Sequence, residues 1–306
     1  MRVWLIIIRL AAFLLLFSIV GCVLALTFGT TLVPADGILG YAHYPTGRVF
    51  GNLYLLDLAR QVNVRIAVGI SNYAPLAWSR DGTQLAFADT DGEDLELYVL
   101  DLTQQRPDGR QGRALTNNDE QDAFPAWSPD GSQIVFQAFR NGRSDLYVLN
   151  VDDGQERAVV SDQDYEYAPA WSPDGKFIAF ASIPPERGYG LYVLSLDTLR
   201  IQYIADLPGA SLMAWSPDST QFVFAPTSRA GLYHVDIGSQ QVTPLSTDLH
   251  SDEGNGFAVW SPDGTRIALV SDHEGGSWIY ILNADGSDVR RVTSGEGYSA
   301  SPAWFP

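Results

Sequence analysis

The hydrophobic pattern of this chain falls into two regimes. From Leu10 to Phe28 there are 19 consecutive residues without a charge, a length that just crosses the hydrocarbon core of a bilayer as one helix. From residue 38 onward the apolar residues come in short runs, such as Ile134-Val135-Phe136 and Leu146-Tyr147-Val148-Leu149. Gly, Asp, Asn and Pro separate these runs, and β-branched and aromatic residues fill them, which predicts short β-strands. No helix-length amphipathic stretch occurs in this second regime, so an all-β domain is expected.

The strands are organised by a repeat. Ala126-Trp127-Ser128-Pro129-Asp130-Gly131 returns in near copy at Ala77 to Gly82, Ala170 to Gly175, Ala214 to Ser219 and Val259 to Gly264, and a clipped copy, Ala303-Trp304-Phe305-Pro306, ends the sequence. The tryptophans Trp78, Trp127, Trp171, Trp215, Trp260 and Trp304 stand 49, 44, 44, 45 and 44 residues apart. A period in the forties signals repeated supersecondary units, and four short strands per unit is the make-up of a propeller blade. The Ser-Pro-Asp-Gly turn has a local cause. Pro pre-sets φ, Asp bonds the nearby backbone, and Gly supplies a positive φ. Ser219 stands where the other copies have Gly, at an expected cost of about 1 kcal/mol if that position is left-handed. Pro125, Pro169 and Pro302 each precede a Trp by two residues. Proline cannot donate to a ladder, so this strand is expected at a sheet edge, facing a central channel.

The first unit, with runs at Ile38-Leu39-Gly40-Tyr41, Leu53-Tyr54-Leu55-Leu56 and Asn63-Val64-Arg65-Ile66, lacks its Trp strand, while the C-terminal fragment is a Trp strand and nothing more. The two complement each other. The expected architecture is therefore a six-bladed β-propeller over residues 38–306, closed by pairing of the C-terminal strand with the N-terminal blade. A linker at 29–37 and a membrane segment at 1–28 precede it.

The unit Pro-Ala-Trp-Ser-Pro-Asp-Gly, followed by Ile-Ala-Phe and Leu-Tyr-Val-Leu, resembles the TolB-like (WD-like) β-propeller repeat family, found in the C-terminal domain of the periplasmic TolB protein of the Tol-Pal envelope system. The resemblance spans about residues 38 to 306 and implies the propeller fold. No counterpart of TolB's N-terminal α/β domain is read here, so the resemblance does not carry over TolB's specific role. Propellers of this kind serve as binding platforms, as enzymes and as peptidase filters.

Charge narrows the choice of partner. With 19 Lys and Arg against 36 Asp and Glu, the formal charge is −17, which repels nucleic acid and anionic lipid and favours cations or a basic protein surface. Arg2 and Arg9 precede the apolar segment and the first acidic residue after it is Asp36, which orients the following domain to the extracytoplasmic side. An uncleaved signal anchor is the preferred reading of that segment. Cleavage lacks a small-residue site, and Ile19-Val20-Gly21-Cys22 resembles a bacterial lipobox in which Cys22 would be acylated. Cys22 is the single cysteine, so no intramolecular disulfide forms.

In an antiparallel four-stranded blade the Ser-Pro-Asp-Gly turns share one face, and the loops that do not repeat share the other. The second face is expected to carry function. Its candidate binding residues are Asp119, Glu120, Asp122, Asp164, Tyr165, Glu166, His250, Asp252, Glu253, His273 and Glu274. They read as a platform for a basic protein segment of the cell envelope. There is no Gly-x-Ser-x-Gly elbow and no His-Glu-x-x-His, so no catalytic residues and no resident metal ligands are assigned. No cofactor is expected, although a divalent cation in the channel fits His250 and His273 with their neighbouring carboxylates. Two alternatives stay open. One is a carbohydrate-active enzyme using a channel metal, as in the pectin-degrading lyases that resemble this propeller, or paired carboxylates. The other is a glycan-binding module using tyrosines.

Overall fold

A computed structural model describes residues 37–306 apart from 49, 71–74, 91–93, 104–111, 163, 185, 187, 208–210, 227–230, 246–248 and 250–255. The expected membrane segment, Cys22 and nearly all of the linker lie outside the described residues. Among those described, no helix is long and apolar enough to cross a membrane.

Twenty-four strands form six four-stranded antiparallel sheets. Blade 1 holds β1 (Ile38–Tyr44), β2 (Gly51–Asp57) and β3 (Val62–Ile70). Blade 2 holds β4 (Ala77–Trp78), β5 (Gln84–Thr90), β6 (Leu95–Asp101) and β7 (Arg113–Ala114). Blade 3 holds β8 (Gln121–Trp127), β9 (Gln133–Arg140), β10 (Arg143–Asn150) and β11 (Glu156–Val160). Blade 4 holds β12 (Glu166–Trp171), β13 (Phe177–Ser182), β14 (Gly190–Ser195) and β15 (Ile201–Asp206). Blade 5 holds β16 (Ser211–Trp215), β17 (Gln221–Pro226), β18 (Leu232–Asp236) and β19 (Gln241–Leu245). Blade 6 holds β20 (Gly256–Trp260), β21 (Arg266–Ser271), β22 (Trp278–Asn283) and β23 (Arg290–Arg291). The last strand, β24 (Tyr298–Trp304), completes blade 1 as its innermost strand, with Leu39 opposite Trp304 and Gly40 opposite Ala303. This is the expected six-bladed ring, closed by its two ends.

Burial explains the composition of each strand. Second strands such as β9 and β13 are covered on both sides by neighbouring blades, so Ile134, Val135, Phe136, Ile178, Ala179 and Phe180 are buried and read as continuous apolar runs. Outermost strands such as β11 and β19 are largely exposed and carry the polar residues. The core is split into layers between blades. Leu97 and Val99 of blade 2 pack on Trp127, Ile134 and Phe136 of blade 3, and Leu39, Leu56 and Trp304 of blade 1 pack on Ala268 and Ile281 of blade 6.

The repeated turn is held from inside. Ser128 Oγ donates to Asp130 Oδ1 at 2.6 Å, the Ser132 N–H donates to the same oxygen, and the Gly131 N–H donates to the Ser128 carbonyl. The same set recurs around Asp81, Asp174, Asp218 and Asp263. Gly82, Gly131, Gly175 and Gly264 have φ between +68° and +77°, and Ser219 sits at +61°. The left-handed requirement at that position is thus met without glycine in one copy.

The edge prolines lie on innermost strands, as their missing N–H demands. The structure adds a bulge there. Phe124, Ala168 and Ser301, each just before a proline, take φ of 50–55°, and Phe257 takes 49°. At each of these sites the register of the inner strand shifts.

Candidate functional site on the loop face

Two successive loops, together with the first residues of the innermost strands they enter, carry five of the eight acidic candidates. The first, residues 115–120, is anchored from below by Glu96 of β6. This buried carboxylate accepts the Thr116 hydroxyl at 2.5 Å and the Asn118 N–H at 2.7 Å. Burial pushes its carboxyl above the usual range, against the pull of those hydrogen bonds. Asn118 then accepts the Glu120 N–H and donates to Asp122. The loop is therefore preorganised, with Asp119 exposed and Glu120 half-buried.

Asp122 points the other way. It is fully buried, and Arg140 Nη2 lies 3.3 Å from it and 2.7 Å from Glu156. The same guanidinium stacks on Tyr147 at 4.4 Å. Asp122 is thus the buried partner of an ion network and presents no charge at the surface.

The second loop, 161–165, joins blade 3 to blade 4. Ser161 donates to Asp145 at 2.9 Å, and the Asp164 N–H donates to Asp162 at 2.8 Å. Ligand oxygens of Asp162, Asp164 and Glu166 lie within 4.8 Å of one another. Glu166, the first residue of β12, is fully buried. Burial first, and Asp162 second, push its carboxyl up to about 8. Its Oε2 has no hydrogen-bond partner, nor does Asp145 Oδ1, which has only Arg143 Nε at 3.8 Å. Tyr165 is 40% exposed, and the rings of Tyr167 and Tyr189 lie 6.4 Å apart.

Of the remaining candidates, the two described ones are not brought to this cluster. His273 and Glu274 are exposed on the blade 6 loop, where Glu274 pairs with Arg291 at 2.5 Å. His250, Asp252 and Glu253 lie outside the described residues. His43 contacts the Ser299 hydroxyl at 3.2 Å, and burial lowers its pKa.

Two features escaped sequence reasoning. The first is aromatic: Phe139 is 42% exposed at the loop end of β9, directly opposite Gln121, and Phe50 is 58% exposed. An apolar residue breaking the alternation just before Arg140 was the available signal for Phe139. The second is a cavity of about 530 Å³ on the turn face between blades 5 and 6, lined by Asp218, His234, Trp260, Asp263 and Asp285 among others. The buried His234 Nε2 and Trp260 Nε1 have no hydrogen-bond partner. No local sequence signal marks that opening, because it reflects the spacing of two blades.

Comparison with known proteins agrees with this geometry. Residues 34–187 and 168–306 match the TolB beta propeller domain. A TolB homolog of Chlorobium luteolum is 28% identical over 130 residues, which are 41% of this chain and 28% of that protein. The Tol-Pal system protein TolB of Alcanivorax borkumensis is 30% identical over 108 residues, 34% of this chain and 23% of that protein. The match thus spans about a quarter of the length of these relatives. The crystal structure of TolB from Acinetobacter baumannii superposes with a TM-score of 0.73 at 19% identity, covering 92% of this chain and 70% of that one. At that identity the likeness is one of fold.

Proposed function

The chain belongs to the TolB β-propeller domain family, and we propose that it acts as a protein-binding platform of the cell envelope, working through its loop face. The observation that carries this reading is the contrast between the two faces. On the turn face the five repeat aspartates are spent on internal hydrogen bonds. On the loop face Asp119 is exposed with no such role, and exposed Phe139 and Tyr165 stand in the same blades. Aromatic side chains within a charged surround are the composition of a protein interface. The acidic residues select a partner with a basic surface and speed its encounter at low salt.

The Tol-Pal membership of relatives supports an envelope setting. The uncharged segment Leu10–Phe28 would tether the propeller to the cytoplasmic membrane, with the ring on the extracytoplasmic side. A lipid on Cys22 would serve the same end. The enzyme reading is the weaker one. Of its two histidines, His273 is exposed beside an ion-paired Glu274, and among the described residues no His, Cys, Asp and Glu group of three or more includes a histidine.

The test is affinity capture of the full chain from detergent-solubilised membranes. Capture of a defined protein that is lost in Asp119→Asn/Glu120→Gln and in Phe139→Ser, weakens with salt and survives Asp152→Asn on the opposite face supports the platform. Capture unaffected by the loop-face variants overturns it.

A further inference from the structure

Among the described residues, the exposed large apolar side chains sort by face. The aromatic ones, Phe50, Phe139 and Tyr165, stand on the loop face. The aliphatic ones stand at the turn ends of outermost strands: Val62 on β3, Leu199 just before β15, Ile201 at its start, and Val242 on β19. Hydrogen bonds fix that face. The turn before β15 donates the Leu196 N–H to the Lys176 carbonyl, and the turn before β19 donates the Ile237 N–H to the Thr220 carbonyl. Lys176 and Thr220 belong to the repeated turns, where their own N–H groups bond Asp174 and Asp218. Gln240 Nε2 of blade 5 donates to the Tyr203 carbonyl of blade 4 at 3.5 Å, so the two outer strands start side by side.

Leu199 is displayed at a cost. It is 73% exposed and its φ is +55°, a conformation that a bulky residue adopts only under strain. It stands fourth after the last residue of its blade's third strand. Gln61, Gly154 and Gln240 hold the same place in blades 1, 3 and 5, all with positive φ. Those positions carry a polar side chain or none. A leucine that is left in water and strains its own backbone does not serve the stability of the fold.

The segment read as the tether joins the ring on this same face. The Leu58 N–H donates to the Gly37 carbonyl at 3.3 Å, the counterpart in blade 1 of the bond from Leu196 to Lys176. β1 therefore starts at the turn face. Residues 29–36, even fully extended, hold Gly37 within about 30 Å of the end of the uncharged segment. We propose, resting on the tether reading, that the aliphatic rim of Leu199, Ile201 and Val242 docks on the lipid surface of the membrane that holds the chain. The turn face then meets the bilayer, and the loop face is presented outward to its partner. Docking removes aliphatic surface from water, and the tether keeps lipid at a high effective concentration, so a small contact suffices. The acidity of the chain opposes anionic headgroups, so the surface that fits is zwitterionic. Attachment at blade 1 and again at the rim of blades 4 and 5 fixes the tilt of the propeller, which one tether alone does not.

The test is photo-crosslinking of the full chain in phosphatidylcholine liposomes. The crosslinking residue p-benzoylphenylalanine is placed at position 242 on the rim or at position 119 on the loop face, and lipid adducts are measured by mass spectrometry. Adducts at position 242 should exceed those at position 119 by about fivefold or more. Salt at about 0.5 M should not reduce them, because screening does not touch an apolar contact. Leu199→Gly and Ile201→Ser should each lower the adducts at position 242 by about threefold or more, while the Tm of Leu199→Gly stays at or above that of the wild type. That Tm separates loss of the contact from misfolding. Flotation of the liposomes reads the tether separately. A chain that does not float with them overturns the tether and this contact together. A chain that floats but gives equal adducts at both positions, or none at position 242, overturns the contact alone. So does a Leu199→Gly variant that leaves the adducts unchanged or lowers the Tm.

Discussion

The indole N–H of Trp78 donates to the carbonyl of Ala303 at 3.2 Å, across 225 positions of sequence. Trp78 belongs to blade 2 and Ala303 to the strand that closes blade 1, so this bond fastens the seam of the ring to the next blade. Phe305 seals the same seam, its ring 5.2 Å from that of Trp78 in an edge arrangement. The Phe305 ring also covers Gly82, where an added Cβ would lie 2.6 Å from it. The corresponding glycine of blade 3, Gly131, has nothing within 4 Å of such an atom. Both have positive φ. Gly131→Ala should therefore cost only the left-handed penalty, about 1–2 kcal/mol, and Gly82→Ala should cost more because Phe305 must move. Urea unfolding of the two variants decides this, and equal midpoints would show that the C-terminal seam is not tightly packed in solution.

The seam bond is one of a series. Trp127 donates to Ala77, Trp215 to Ala170 and Trp304 to Val259 at 3.0–3.3 Å, each reaching the residue before the tryptophan of the preceding blade. Trp171 and Trp260 make no such bond, and their Nε1 atoms are buried without a partner. The Trp260 site borders the cavity between blades 5 and 6. Trp127→Phe should thus be more destabilising than Trp260→Phe by about 1 kcal/mol, the net worth of a buried hydrogen bond. Thermal unfolding of both variants measures the difference.

Ser219 has a compensation that its neighbours lack. Its φ of +61° is strained for a residue with a Cβ, yet its hydroxyl accepts the N–H of Asp174 in the preceding blade's turn at 3.0 Å. Ser219→Ala keeps the strain and loses the bond, and should destabilise by about 0.5–1.5 kcal/mol. Ser219→Gly loses the bond but relieves about 1 kcal/mol of strain and should be close to neutral. Chemical denaturation that ranked alanine above glycine would contradict this account.

The repeat turns predict acid sensitivity. Hydrogen bonds from Ser79 and Thr83 hold the Asp81 carboxyl below its ordinary range, and those from Ser128 and Ser132 do the same for Asp130. At Asp174 and Asp263 the hydrogen bonds outweigh an opposing effect of burial. A folded-state pKa below the unfolded value means stability present above the ordinary aspartate value of about 3.9 and lost as pH falls through the lowered folded values. The urea midpoint should fall between pH 5 and pH 3, and less so in Asp130→Asn. An Asp130→Asn variant with an unchanged slope in that window would remove the turn from the explanation.

How far the sequence was legible depends on the range of the physics involved. The turn, its glycine, the edge prolines and the tryptophan period are set by φ preferences and by alternation within a few residues, so strands, blade number and ring closure could be read directly. The left-handed position of Ser219 followed from its alignment with four glycines. The candidate site was legible as a face but not as a set of roles. Asp119 and Asp122 stand three residues apart, yet one is exposed and the other is locked under Arg140. Glu166 and Asp122 hold the same place in their repeats, yet Asp122 is paired with Arg140 while Glu166 is crowded by Asp162 and Asp164. Burial and pairing of a charge depend on which strand of a neighbouring element lies over it, a distance that local sequence does not encode. The inner-strand bulges and the gap between blades 5 and 6 likewise arise from fitting six twisted sheets around one axis, so they exist only once the ring is assembled.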